Sequence, residues 1–284
     1  MVEIPQNLFI RTNHTYPPNN HQIYEEYFYD FYVNNNIITE REYIPILWTN
    51  LYISRNYGNS NMDDVQTFLN NLDRSKKYFT VLQYDDGILQ NIEDLDIIVF
   101  CSGGGGQKIV PEKNIGYPIP LVCQPRNNID INRERDILCS FIGSNTHPLR
   151  NKMTETLRHV SGFDIVLSKI SYEQFVDKME RSVFSLCPRG YGATSFRICE
   201  SLQQGSIPVY IYDKDWTPWY DEFNFEDIGI KIHESQIEKI PNILESLDSE
   251  HIKILRENGN NIYNEYFDYK NCSLKIINKL NKIK

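Results

Sequence analysis

Two short stretches of this 284-residue chain combine residue types suited to holding an anion. The first is Arg189-Gly190-Tyr191-Gly192-Ala193-Thr194-Ser195, followed at helical spacing by Arg197 and Glu200. Small residues let backbone N–H groups approach a phosphate, and the start of a following helix offers unpaired N–H donors. An arginine in the first turn adds a planar fork of charged donors, each good contact contributing ~1.5–3 kcal/mol. The second stretch is Gly143-Ser144-Asn145, with Arg150 in the first turn of a helix that Pro148 opens.

Glu200 lies three residues beyond Arg197, so both project from adjacent turns of one helix face. Taken alone, that spacing describes a solvated ion pair. Behind a glycine-rich loop it describes a carboxylate set one turn deeper than a phosphate cradle, placed to accept hydrogen bonds from ribose hydroxyls while the arginine holds a diphosphate. The segment has no Walker lysine, and GYGATS lacks the third glycine of the dinucleotide fingerprint. Triphosphate hydrolysis and hydride transfer both lose ground.

Other residues have two readings each. Asp85-Asp86-Gly87 offers carboxylates for proton transfer, but the same triplet is an ordinary solvated turn. Gly103–Gly106 suits a ligand-wrapping loop or a flexible turn. Asp213-Lys214-Asp215 has the spacing of a metal–diphosphate clamp, a triplet that also arises by chance, and no metal is expected. Trp216 and Trp219 stack on a sugar or pack a loop beside Pro218. Six scattered cysteines without metal spacing read as buried thiols, and of the six histidines only His147, beside the proposed phosphate turn, draws notice.

These residues need a scaffold. In the first half, His21–Tyr32 and Asp63–Leu72 have helical spacing, Tyr43–Ile53 is a β-rich run, and Tyr78–Gln83 and Ile97–Phe100 read as strands. The pattern breaks between Tyr117 and Arg135 at Pro118, Pro120, Pro125, Asn127 and Asn128. It restarts as strand Ile137–Ile142, helix from Pro148, strand Phe163–Leu167, helix Ser171–Arg181, strand Ser182–Cys187, helix Ser195–Gln204 with Thr194 as its N-cap, and strand Ile207–Tyr212. That order is doubly wound, and such sheets bind ligands beyond the carboxyl ends of their strands. Segments Ser249–Tyr269 and Ser273–Ile283 complete the chain as helices. The expected domains are 1–134 and 135–270, with 271–284 a helix that packs back on the first.

Composition narrows the partners. With 40% hydrophobic and 24% charged residues the chain is globular, and its net charge of −9 gives no footprint for nucleic acid or anionic membrane. The longest apolar runs, Ile97–Cys101 and Ile207–Tyr212, fall far short of the ~20 residues of a membrane helix. The N-terminus shows neither a basic lead nor a continuous apolar stretch, so a cytoplasmic location is expected. Abundant Ile, Asn, Lys and Tyr suggest an AT-rich microbial or viral genome.

The run SVFSLCPRGYGATSFRICESLQQGSIPVYIYD, Ser182 to Asp213, closely resembles the signature of the exostosin family, glycosyltransferase family 47. The resemblance continues forward into PWYDEFNFEDIGIKI, with Trp219 and Phe225 near the family's aromatics, and back into FIGSNTHPLR. In the N-terminal half, IYEEYF and YIPILWTNLY fit weaker positions, and YFTVLQYDDG is similar to an HD-x-G block, with Tyr84 where His is common and Asp86 where an aromatic is common.

The resemblance implies a GT-B glycosyltransferase: two Rossmann-like, doubly wound parallel-sheet domains facing a cleft, the first on the acceptor side and the second binding a nucleotide sugar. It implies that Gly143, Ser144, Arg150, Arg189, Gly190, Thr194, Ser195, Arg197 and Glu200 line the donor site, with Glu200 on the ribose. Asp85, with Asp86 as rival, becomes the general base. Transfer of a hexosyl or pentosyl group, from a UDP-sugar ahead of a GDP-sugar, to a glycan or other hydroxyl acceptor follows by the same analogy. No cofactor beyond the nucleotide sugar is expected. Gly192, eight positions before Glu200, stands where many retaining enzymes of this fold carry a second Glu, which favours inversion. The alternatives are a catalytically inactive partner subunit that keeps the nucleotide or glycan pocket, and a GT-A-like metal enzyme using Asp213 and Asp215.

Overall fold

The computed structural model describes residues 1–11, 22–104, 115–123 and 133–283. Of the residues singled out above, His21, Gly105, Gly106, Pro125, Asn127 and Asn128 lie outside that set. The chain divides into two units, Met1–Pro120 with Tyr269–Lys284, and Leu121–Asp268.

Unit 1 runs α1 (Tyr24–Asn34), β1 (Glu42–Tyr43), α2 (Trp48–Ser54), α3 (Asp63–Asn70), β2 (Lys77–Leu82), β3 (Asp96–Cys101) and β4 (Ile115–Pro118). Its strands form a parallel sheet in the order β1-β2-β3-β4, in a register that sets Tyr78 beside Ile97 and Leu82 beside Cys101. Five of six residues in both β2 and β3 are buried, the near-continuous apolar pattern of strands covered on two faces. The expected β-run Tyr43–Ile53 is corrected here. Only Glu42–Tyr43 joins the sheet, and beyond Pro45 the chain turns into α2. Trp48, Leu51 and Tyr52 are all fully buried, and that three- and four-residue rhythm overrides the strand preference of Trp, Thr, Tyr and Ile.

Unit 2 runs β5 (Ile137–Ile142), α4 (Pro148–Leu157), β6 (Phe163–Val166), α5 (Tyr172–Arg181), β7 (Ser182–Pro188), α6 (Phe196–Gln203), β8 (Ile207–Tyr212), β9 (Ile230–His233), α7 (Ile240–Glu245) and α8 (Ser249–Ile262). All its strands are parallel, ordered β6-β5-β7-β8-β9. Right-handed crossovers carry α4 to one face and α5 and α6 to the other, so the order of connection reverses between β5 and β7. Leu149, Met153 and Leu157 of α4 pack on Phe141, Phe184 and Ile211 to make the core of one layer.

The expected helix Ser249–Tyr269 is interrupted. After α8 the chain widens into a π-helical turn over Tyr263–Phe267 that buries Tyr263, Tyr266 and Phe267, and Asp268 has extended backbone. Two carbonyls of that turn accept bonds from elsewhere in the unit, Tyr266 O from Trp219 Nε1 (3.4 Å) and Phe267 O from the Cys199 thiol (3.7 Å). A final helix, α9 (Tyr269–Lys282), returns to unit 1, where Tyr24 Oη and Ser273 Oγ are 3.1 Å apart. All six cysteines are buried thiols. No helix among the described residues is long and apolar enough to cross a membrane.

Candidate functional site

The reversal between β5 and β7 brings together the two loops marked in the sequence. Gly143 follows β5 because a Cβ there would lie 2.9 Å from Phe141 Cζ. Arg150, from the first turn of α4, stacks 5.5 Å from the Phe141 ring centroid and donates from Nη1 to Ser144 O and from Nε to Arg189 O, both at 2.8 Å. One guanidinium therefore fastens the β5 turn to the β7 turn. Gly190 is open to substitution by contrast: its missing Cβ would meet Arg150 Nη2 at 3.5 Å and Thr146 Oγ1 at 3.8 Å.

Arg189 holds its own loop in shape. Nη1 sits 2.9 Å from both carboxylate oxygens of Asp213 at the end of β8, Nη2 donates to Tyr191 O at 2.8 Å, and Nε donates to Gly192 O at 3.0 Å. Burial works to raise the Asp213 carboxyl, but the Arg189 hydrogen bond and charge outweigh it and hold it below the usual carboxylate range. Gly190 N donates to Thr194 O, which closes the loop. The N-cap of α6 is Ser195, one residue later than expected: its backbone is extended and its Oγ accepts from Arg197 N at 3.2 Å. Thr194 is buried just ahead of it.

Arg197 and Glu200 pair at 2.9 Å through Nη1 and Oε2, with side chains 13% and 19% exposed. The guanidinium also donates from Nη2 to Ile142 O at the end of β5 and lies 4.4 Å from the Phe175 ring centroid. Glu200 Oε1 is left without a hydrogen bond among the described residues. Arg197 Nε and Thr146 Oγ1 are buried without partners there. Thr146 was not singled out in the sequence; its one signal is a polar residue set directly before the His147-Pro148 helix start. His147 caps α4, its Nδ1 accepting from Leu149 N at 3.2 Å.

Asp213 and Asp215 do not act together. Asp213 is taken by Arg189 and Asp215 by Lys231 Nζ at 2.6 Å. Among the described residues no group of three or more His, Cys, Asp or Glu side chains is gathered as a metal site. Trp219 is fully buried and packs the loop after β8.

In unit 1 the carboxylate turn leaves the end of β2. Asp85 is half-buried and Asp86 exposed. Gly103, after neighbouring β3, is required by close approach: its Cβ would lie 2.6 Å from Gln83 O and Tyr84 O and 2.7 Å from Asp85 Cα. Beneath the turn lies Glu25, fully buried, accepting from Gln83 N and Thr49 Oγ1 at 2.6 Å and from Thr49 N at 3.0 Å. Burial pushes its carboxyl up to about 7 against those hydrogen bonds. Sequence reasoning missed Glu25, whose only signal was an acidic pair inside an aromatic helical pattern.

Comparison with known proteins gives these geometries a family context. The family model for the Exostosin GT47 domain matches residues 43–247. An exostosin-1 homolog from Caenorhabditis elegans is 29% identical over 178 residues, covering 54% of this chain and 47% of that protein. A probable glucuronoxylan glucuronosyltransferase from Arabidopsis thaliana, IRX7, is 28% identical over 143 residues, covering 47% of this chain and 32% of its own length. The match thus spans less than half of either relative. Among solved structures, that of TarM superimposes with a TM-score of 0.47 at 9% identity, covering 75% of this chain and 52% of the other.

Proposed function

Because the chain belongs to the exostosin GT47 family, we propose that it transfers a sugar from a nucleotide-sugar donor to a hydroxyl acceptor, with unit 2 binding the donor. The observation that carries this reading is the Arg197–Glu200 pair, set where the strand order reverses in a parallel sheet. Glu200 Oε1, without a hydrogen bond among the described residues, is suited to a ribose hydroxyl, while the amides at the start of α6, with Ser195, face the charge of the diphosphate and Arg197, its Nη atoms held by Glu200 and Ile142 O, orients Glu200 and adds positive charge beside them. Arg150 and Arg189 spend most of their donors on carbonyls and on Asp213, so their part is to keep the Gly143-Ser144 and Gly190–Thr194 turns rigid and the site positive.

In the proposed reaction Asp85 takes the proton of the acceptor hydroxyl, the acceptor oxygen bonds to the anomeric carbon, and the carbon–oxygen bond to the diphosphate breaks with its electron pair going to the departing phosphate oxygen. In-line displacement by a single base gives inversion. A UDP-sugar is the proposed donor, a hexose or pentose the transferred group, and a glycan the acceptor. The reaction proceeds without metal in this reading, since the two carboxylates of the Asp213-Lys214-Asp215 triplet are each neutralised by a separate cation.

A melting-temperature panel of UDP- and GDP-sugars tests the donor claim, because a ligand that binds only the native state raises its stability. Selective stabilisation by a UDP-sugar, lost in Arg197→Ala and Glu200→Ala, is the expected outcome. Equal response of wild type and both variants would overturn it. Donor binding without transfer to any acceptor would instead indicate a partner subunit that has lost catalysis, a reading favoured by the altered HD-x-G block, with Tyr84 and Asp86 at the positions that differ.

A further inference from the structure

The loop after α2 has three consecutive residues with left-handed backbone, Asn56 (φ 51°), Tyr57 (φ 57°) and Gly58 (φ 78°). Glycine adopts this region freely and asparagine tolerates it, but a tyrosine there is strained. Tyr57 nevertheless presents its side chain to solvent, 60% exposed, so burial does not repay the strain.

That loop is bolted to the carboxylate turn. Tyr84 Oη donates to Tyr57 O at 3.3 Å, the Tyr84 and Tyr52 rings lie 4.8 Å apart, and Leu89 N donates to Tyr52 Oη at 3.0 Å. Gly58 is pressed against Leu89, whose Cδ1 would come within 2.4 Å of an added Cβ. Burial first, then the carboxylates of Asp86 and Asp85 and the Tyr57 phenol, raise the Tyr84 hydroxyl above its ordinary value. The Tyr84 hydroxyl thus joins the loop that displays the exposed Tyr57 to the turn just past β2, where Asp85 and Asp86 follow Tyr84 directly in the chain.

We propose that Tyr57 and Tyr84, with Asp85 and Asp86, form a carbohydrate subsite for a pyranoside, the aromatic surface covering the C–H face of the sugar ring and the carboxylates accepting from its hydroxyls. A pyranoside has one apolar face and a rim of donors, and this constellation supplies a counterpart to each. The inference rests on reading unit 1 as the acceptor side, and it names Tyr57 as the residue whose backbone is strained to display the aromatic.

The test uses the full chain without donor and a panel of methyl β-D-xylopyranoside, methyl β-D-glucopyranoside and methyl β-D-galactopyranoside, with binding read by saturation-transfer NMR. At least one glycoside is expected to bind. Tyr57→Gly is expected to weaken that binding at least tenfold while its melting temperature equals or exceeds that of wild type, because glycine takes φ 57° without strain and leaves the Tyr84 bond to the carbonyl intact. Tyr57→Phe is expected to bind like wild type. No binding of any glycoside at tens of millimolar, or unchanged affinity in Tyr57→Gly, overturns the subsite. Nucleotide-sugar stabilisation, measured in parallel on wild type and Tyr57→Gly, separates the two claims. If the donor binds and no glycoside does, only the subsite falls; if Tyr57-dependent glycoside binding persists with no donor binding, the subsite stands and the transferase reading falls.

Discussion

The Arg197 guanidinium reaches Glu200 on its own helix and the carbonyl of Ile142 at the end of β5, so a single side chain ties α6 to the neighbouring strand's loop. The pair is mostly screened from solvent, and removing Glu200 leaves a charge with one counter-ion fewer. Glu200→Ala is expected to cost about 1–3 kcal/mol in urea unfolding and to abolish donor-dependent stabilisation. Arg197→Lys is expected to fail as well, because an ammonium cannot bond Glu200 and Ile142 O while stacking on Phe175. Wild-type donor affinity in Arg197→Lys would show that the fork geometry is irrelevant to binding.

If Asp85 is the base, Asp85→Asn lowers the transfer rate by ~10²–10⁴-fold with donor stabilisation intact, while Asp86→Asn raises the acceptor KM and leaves kcat close to wild type. Gly103→Ala is the companion test, since its methyl group would collide with the Gln83 and Tyr84 carbonyls and must displace the turn. It is expected to lower the rate while sparing donor binding in unit 2. Reversed effects of the two Asn variants would transfer the role to Asp86.

Much of unit 2 was legible because its signals are local. Leu149, Met153 and Leu157 repeat at helical spacing, Gly205 follows the end of α6 with φ 67°, and the alternation of elements names the doubly wound class. What was not legible depends on distant partners. Nothing near Arg150 in sequence shows that its fork is filled by Arg189 O, and nothing near Arg189 shows Asp213. Thr194 and Ser195 are both good cap residues, and only the extended backbone at Ser195 decides between them. The α2 segment was misread because its residue types favour strands, while its burial follows a helix. Tyr57 gave no sign at all, because backbone strain has no signature in residue type.

Glu25 makes a signed prediction for pH. Its folded-state carboxyl titrates at about 7, above the ordinary 4.5, first through burial and also through neighbouring Glu26, with Tyr43 and Tyr52 the other titratable groups close to it. The folded protein therefore holds a proton that the unfolded chain releases between those values, and this group lowers stability as pH rises through that window. Glu25→Gln removes the titration but turns an N–H toward the Thr49 N–H, costing about 1–3 kcal/mol. Urea unfolding from pH 4.5 to 8 is expected to show the variant less stable at the acid end, with the gap narrowing as pH rises. A gap independent of pH would mean that Glu25 does not titrate there.

His147 carries the opposite sign at the other unit. Its Nδ1 accepts from Leu149 N, so the neutral ring has its proton on Nε2, and protonation of Nδ1 destroys the cap of α4. Burial first, then the charges of Arg189 and Arg150, lower its pKa from the ordinary 6.5, while Asp213 and Glu234 pull the other way. As pH falls below 6.5 the unfolded chain takes up the proton before the folded one does. The stability this residue contributes is complete above that pH and is lost as pH drops through the folded value. His147→Asn keeps an oxygen acceptor at the cap and is expected to flatten the acid limb of a melting curve taken between pH 5 and 8. His147→Ala, with no acceptor, is expected to be less stable than wild type by ~0.5–2 kcal/mol at pH 8. Because Arg150 springs from the first turn of that helix and spans both loops, donor stabilisation should weaken along the same acid limb in wild type and hold level in His147→Asn. Parallel pH curves for wild type and His147→Asn, in melting and in donor binding, would remove His147 from the site.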